Sequence, residues 1–123
     1  MRTDDQGIGY VTLARPGGES VCETYTGAEA GNEILAASAG NGWVIDELLL
    51  STAASGSFKL QSVLEGTPDV ITMLVPPIFL AANSTTHIVF NGEVVGGVGE
   101  RIEVVTTPSG NHSIQAIAHL KAL

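Results

Sequence analysis

The sequence predicts an all-β chain in which two antiparallel sheets pack face to face. Three observations carry this reading. From residue 20 onward, short β-prone runs alternate with clusters of Gly, Asn, Asp, Pro and Ser, at the spacing of a sandwich or barrel. Hydropathy alternates with a period of two, with Phe58, Leu60, Ser62 and Leu64 set against Lys59 and Gln61, and the period recurs in Ile114, Ala116, Ala118 and Leu120. Aromatic residues are only 5% of the chain, so the core must be built from Val, Ile, Leu and Ala, which suit thin, closely packed sheets.

Taken in order, residues 1–19 hold Gly7, Gly9, Pro16, Gly17 and Gly18 and read as an N-terminal arm. Within the arm, Ile8, Tyr10, Val11 and Leu13 form an apolar patch suited to dock on the chain's own domain or on a neighbouring subunit. Residues 20–123 form the sandwich domain. Nine strands are expected: Val21 to Tyr25, Glu33 to Ser38, Trp43 to Ser51, Ser57 to Leu64, Val70 to Val75, His87 to Phe90, Glu93 to Val95, Arg101 to Thr106 and His112 to Leu120. Asn41-Gly42 and Asn91-Gly92 supply positive φ for tight turns, Thr67-Pro68-Asp69 and Pro76-Pro77 break strands, and Ser109-Gly110-Asn111 closes a hairpin. The Ala-rich stretch from Ala28 to Ala39 has room for one helical turn and no more, because Gly31 and Gly40 bracket it.

At 123 residues there is room for one domain, which buries roughly two thirds of the surface its unfolded chain exposes. Hydrophobic residues at 44% and charged residues at 15%, with a mean hydropathy of +0.28, exclude a disordered chain. The formal net charge is -8, and the five basic residues Arg2, Arg15, Lys59, Arg101 and Lys121 are scattered, so no nucleic-acid partner is expected, since phosphate binding needs clustered cations. The lone Cys22 cannot form an intrachain disulfide and is expected in the core. The first residues lack an apolar signal region, and no apolar run is long enough for a membrane helix. A soluble protein made in a cytoplasm-like compartment, with no membrane partner, is expected.

No motif points to chemistry. His112 and His119 are seven residues apart on one strand, so their side chains face opposite ways, and His87 is remote; each reads as a surface or hydrogen-bonded structural histidine, and no metal or other cofactor is expected. Asp46 and Glu47, and likewise Glu100 and Glu103, should split across their sheets. Gly96-Gly97-Val98-Gly99 lacks the Lys-Ser/Thr of a phosphate loop and reads as a turn between strands. The sequons at Asn83 and Asn111 read as turns. Trp43 is assigned to the core. The apolar run around Pro76 and Pro77 must lie at a sheet edge or in a loop, which makes Ile78, Phe79 and Leu80 interface anchors if exposed and core if folded under.

Three stretches, Gly42 to Thr52, Phe90 to Val95, and Gly99 to Val105 followed by Gly110 to Ile114, resemble the jelly-roll-like β-sandwiches of tailed-bacteriophage virions. The resemblance is to capsid decoration or cement proteins and related head-fibre or tail accessory domains. It implies a non-enzymatic virion protein on the capsid surface, a homo-oligomer with a trimer favoured, which binds the major capsid protein and bridges its subunits. In that pattern the Gly99-led strand pairs with the final strand. The alternative is a carbohydrate- or receptor-binding module of a fibre or tail, for which Trp43, Tyr10, Tyr25 and Phe90 are the available aromatics.

Overall fold

The computed structural model describes residues 18–66 and 71–122. The described residues form eight strands, β1 (Gly18–Tyr25), β2 (Glu29–Leu35), β3 (Asn41–Thr52), β4 (Gly56–Leu64), β5 (Ile71–Leu80), β6 (Ser84–Val95), β7 (Glu100–Thr106) and β8 (His112–Ala122). They form two four-stranded sheets, β1-β8-β3-β6 and β2-β7-β4-β5, and every pair is antiparallel. Only the connection from β4 to β5 stays within one sheet, and each of the others crosses between sheets. This is the jelly roll.

The two sheets bury a common aliphatic layer. β3 contributes Trp43, Ile45, Leu48 and Leu50, β4 contributes Phe58 and Leu60, β7 contributes Ile102 and Val104, and β8 contributes Ile114, Ala116 and Ala118. Burying a side chain of the size of Ile45 or Leu50 stabilises the fold by about 1.5–3 kcal/mol. The small Ala116 and Ala118 on the central strand β8 let the sheets approach closely. Trp43 is in the core, as its sequence context predicts, and its Nε1–H donates to the Ala36 carbonyl at 2.8 Å.

Several local expectations change once the pairing is known. The run from Ala28 to Ala39 contains strand β2 and no helical turn. His87 to Phe90 and Glu93 to Val95 are one strand, β6, because Asn91-Gly92 does not turn the chain back. Residues 90–93 lie between the pairs Glu47↔Val89 and Ile45↔Val94, opposite the single residue Asp46. Gly92, at φ 78°, supplies the left-handed conformation that this bulge requires. The first tight turn uses Gly40, at φ 78°, rather than Gly42, and Asn41 N–H closes it on Ser38 O at 3.1 Å.

Pro76 and Pro77 do not break β5. They lie in an irregularity between the pairs Phe58↔Ile78 and Leu60↔Val75, on an edge strand. That is the position the prolines demand, since neither can donate to a ladder. Ser109-Gly110-Asn111 turns the chain but closes no hairpin, because β7 and β8 belong to different sheets and do not pair. Pro108, fully buried, sits in this crossover against Gly56. Ala53 N–H donates to Asn111 O at 2.8 Å and ties the β3–β4 loop to it. The expected turn at Thr67-Pro68-Asp69 lies outside the described residues.

Candidate contact surfaces

The expected interface residues divide. Ile8, Tyr10, Val11 and Leu13 lie outside the described residues. In β5 the alternation separates the other three, since Leu80 is 6% exposed and part of the core, Ile78 packs partly buried against it, and Phe79 is 80% exposed. At the other end of the same edge strand, Ile71 and Met73 are 53% and 56% exposed. The outer face of this sheet therefore carries apolar side chains at both ends of its last strand. Ile71 and Met73 were not singled out from sequence, and alternation alone would have hidden them, because Val75 has the same parity and is buried; a register shift between Leu60↔Val75 and Gln61↔Met73 is what turns them outward.

Beside them stands a charged cluster. Arg101 on β7 donates from Nε to Glu103 Oε2 at 2.8 Å and from Nη1 to Glu65 Oε1 at 3.0 Å, with Glu33 Oε1 at 3.9 Å. Gln61 Nε2 donates to Glu103 Oε1 at 2.9 Å. Burial pushes the Glu103 carboxyl up, but the hydrogen bonds from Arg101 and Gln61 and the charge of Arg101 outweigh it and hold the carboxyl below its usual range. The same carboxylates, first through hydrogen bonds, raise Arg101. The cluster is a closed set of partners that fixes β2, β4 and β7 side by side.

The outer face of the opposite sheet carries two histidine–carboxylate pairs. Asp46 and Glu47 were expected on opposite faces, but β3 has a register shift between Ile45 and Glu47. Ile45 and Leu48 both stay inward, at 0% and 1% exposure, so both acids turn out. Asp46 Oδ2 accepts from His119 Nδ1 at 2.7 Å, and Glu47 Oε1 accepts from His87 Nε2 at 2.7 Å. Asp46 Oδ1 is buried and has no hydrogen-bond partner. Leu49 at 39% and Val89 at 58% exposure share this face. Cys22 is also exposed here and is not a core residue; on edge strand β1 its partner across the ladder is Gln115, whose side chain is likewise on the outer face.

Two further motifs have structural explanations. His112 faces inward, opposite in sense to His119, and packs against Tyr25 and Phe58 at centroid distances of 5.4 and 5.5 Å. Its Nδ1–H donates to Gly110 O at 2.8 Å, which leaves Nε2 to accept from the Thr106 hydroxyl at 2.8 Å, while Thr106 Oγ1 accepts the Glu29 N–H at 3.0 Å. In the glycine-rich turn, Gly97 N–H donates to Glu100 Oε1 at 3.1 Å, and Ser62 Oγ donates to the same oxygen. The turn already holds an anion, the chain's own carboxylate, in the place where a phosphate would have to sit. A Cβ on Gly97 would stand 2.7 Å from that carboxylate, which explains a glycine there. Glu100 and Glu103 take different partners on the two sides of their strand, as alternation requires.

Among the described residues no three His, Cys, Asp or Glu side chains are grouped to hold a metal ion, and no helix is long and apolar enough to cross a membrane. No protein-family model and no curated protein sequence matches the chain. Two solved virus structures show a partial likeness to the chain. A chain of the crystal structure of the T13 IBDV viral particle is 13% identical with a TM-score of 0.39, over 80% of this chain and 31% of that one. A chain of the infectious bursal disease virus Gx strain structure is 16% identical with a TM-score of 0.39, over 97% of this chain and 37% of that one. The protein spans about a third of the length of these virus chains.

Proposed function

We propose that the chain is a non-enzymatic virion structural protein, a capsid decoration or cement protein that oligomerises, with a trimer favoured, and strengthens a phage head by bridging subunits of the major capsid protein. The observation that carries this reading is the outward display of Phe79, Met73 and Ile71 on an edge strand. Large apolar side chains grouped on one edge are interface anchors. Pro76 and Pro77 interrupt hydrogen bonding along the middle of β5, so a neighbour docks through side chains rather than by adding a strand. The jelly roll, used by viral capsid and lectin domains alike, and the resemblance of Gly42 to Thr52, Phe90 to Val95, and Gly99 to Val105 followed by Gly110 to Ile114, to decoration proteins support the same assignment. The arm, with Ile8, Tyr10, Val11 and Leu13, completes the capsid contact, and the protein, made in the host cytoplasm, ends on the capsid surface.

Light scattering on the purified protein tests the oligomer directly. A particle of three times the 12.7 kDa chain mass is expected, and Phe79→Asp should reduce it to the monomer without unfolding it, because Phe79 contributes little to the core. A wild-type monomer that also fails to co-sediment with capsids would refute the proposal.

A further inference from the structure

At the end of the sandwich where the β1–β2, β3–β4, β5–β6 and β7–β8 connections meet, a cleft of about 680 Å³ opens over the last residues of the β1-β8-β3-β6 sheet. Its lining follows from the register. Thr24 pairs with Ser113, Ser113 with Ser51, and Ser51 with Thr85, so one row across four strands consists entirely of hydroxyl residues on the outer face. Adjacent strands lie about 4.8 Å apart, which spreads this row over about 14 Å. Asn83 and Asn111 extend it at the rim.

We infer that this cleft binds a neutral oligosaccharide, with the Thr24–Ser113–Ser51–Thr85 row as its floor. Each hydroxyl offers one donor and two acceptors, and each asparagine amide offers both kinds. A sugar's hydroxyls need that combination, repeated at fixed spacing. The lining contains no Asp, Glu, Lys or Arg. Its two titratable side chains are committed elsewhere, His112 to Gly110 O and the Thr106 hydroxyl, and the Tyr25 hydroxyl to Asn32 Oδ1 at 3.0 Å. A charged ligand would be desolvated there without a counter-charge, and the chain's net charge of -8 repels anions.

The site is also held in shape before any ligand arrives. Ser51 Oγ and Thr85 Oγ1 lie 3.2 Å apart, and the Ala53 N–H to Asn111 O bond joins two of the loops. Asn83 sits at φ 59°, a conformation uncommon for a residue other than glycine, in the turn that carries its amide to the rim. A preset row of groups loses little freedom on binding, so even a shallow site has usable affinity.

This inference does not depend on the capsid assignment, and its test uses a separate readout. Amide chemical shifts of the isotope-labelled protein would be followed while cellotriose, maltotriose, triacetylchitotriose and the anionic sialyllactose are added. Expected is a saturable shift with at least one neutral trisaccharide, centred on Thr24, Ser51, Thr85 and Ser113, with dissociation constants of about 1 mM. Ser113→Ala and Ser51→Ala should each weaken that binding about fivefold, the worth of one neutral hydrogen bond, and both side chains are far enough from the core for the fold to survive. Absence of saturable shifts with every neutral probe, shifts centred elsewhere, or preference for sialyllactose would each overturn it.

Discussion

His119 on β8 and Asp46 on β3 meet at 2.7 Å on the outer face of their sheet because β3 carries one more residue at Asp46 than its partner strand matches. The bulge keeps Ile45 and Leu48 in the core while releasing both acids to the surface, and the two side chains of the pair are only 13% and 17% exposed. Removing Asp46 leaves a poorly hydrated imidazole N–H without its acceptor. Asp46→Ala should therefore lower stability by about 1–3 kcal/mol, measured by urea unfolding. Glu47→Ala, at the more exposed pair with His87, should cost under about 1 kcal/mol. Equal effects at the two sites would contradict the difference in burial.

The Arg101–Glu103 pair makes stability depend on acid. Because the folded Glu103 carboxyl titrates below the ordinary glutamate value of 4.5, its contribution is fully present above that pH and disappears as the pH falls through the folded value. Glu103→Gln should flatten this part of the acid unfolding profile while retaining the contact with Gln61. An unchanged slope between the wild type and the variant would show that other carboxylates carry it.

Tyr25 sets the opposite limit. Burial, then the charges of Glu23 and Glu29, raise its hydroxyl from 10.0 to about 12. The neutral form is the one the fold favours, so this contribution is complete below pH 10 and is lost between 10 and about 12. Tyr25→Phe should remove the alkaline dependence and cost about 1 kcal/mol at neutral pH through the lost bond to Asn32. Ultraviolet titration of the tyrosinate in both proteins, alongside thermal unfolding, checks both parts.

How much of this was legible in the sequence depended on the range of the interaction. Period-two alternation located the β4 and β8 faces and separated His112 from His119, because each depends on neighbours along one strand. Pro76 and Pro77 confined their run to a sheet edge or a loop for the same reason, without deciding between them. Pairing did not follow. β1 lies against β8 and β2 against β7, partners at opposite ends of the chain, and a turn such as Ser109-Gly110-Asn111 looks the same whether the next strand pairs in place or crosses to the other sheet. Asp46 was misassigned because a bulge cancels the alternation on which the reading rests, and Asn91-Gly92 because the positive φ of Gly92 serves a bulge as well as a turn. Of the contact surface, the odd-even pattern of Ile78, Phe79 and Leu80 already implied that only one kind of position points out, yet the buried Val75 could not say which, because the irregularity at Pro76 and Pro77 separates it from them.

Cys22 offers a direct check on one such reversal. A core cysteine would be shielded from thiol reagents, whereas the exposed residue on β1 should react in the folded protein at nearly the rate seen in denaturant. Slow reaction of the native monomer would restore a buried position. Protection that appears only in the oligomer would instead assign the β1-β8-β3-β6 outer face to a subunit contact.

Gly56 and Gly27 separate a required glycine from a tolerated one. A Cβ on Gly56 would stand 2.6 Å from Pro108 N and 2.7 Å from its ring carbons, and Pro108 is buried in the crossover that carries the chain from β7 into β8. Neither partner can yield, since one atom is backbone and the ring is packed on all sides. Gly56→Ala should therefore force the β3–β4 and β7–β8 connections apart and destabilise the protein by about 2–3 kcal/mol, as overpacking does elsewhere. At Gly27 a Cβ would meet nothing within 4 Å, and Gly27→Ala should be neutral or stabilising by up to about 1 kcal/mol, through a less free unfolded chain. Thermal unfolding of the two variants side by side measures the difference; a mild Gly56→Ala would mean that the crossover has room to move and that Pro108 does not lock the two sheets together.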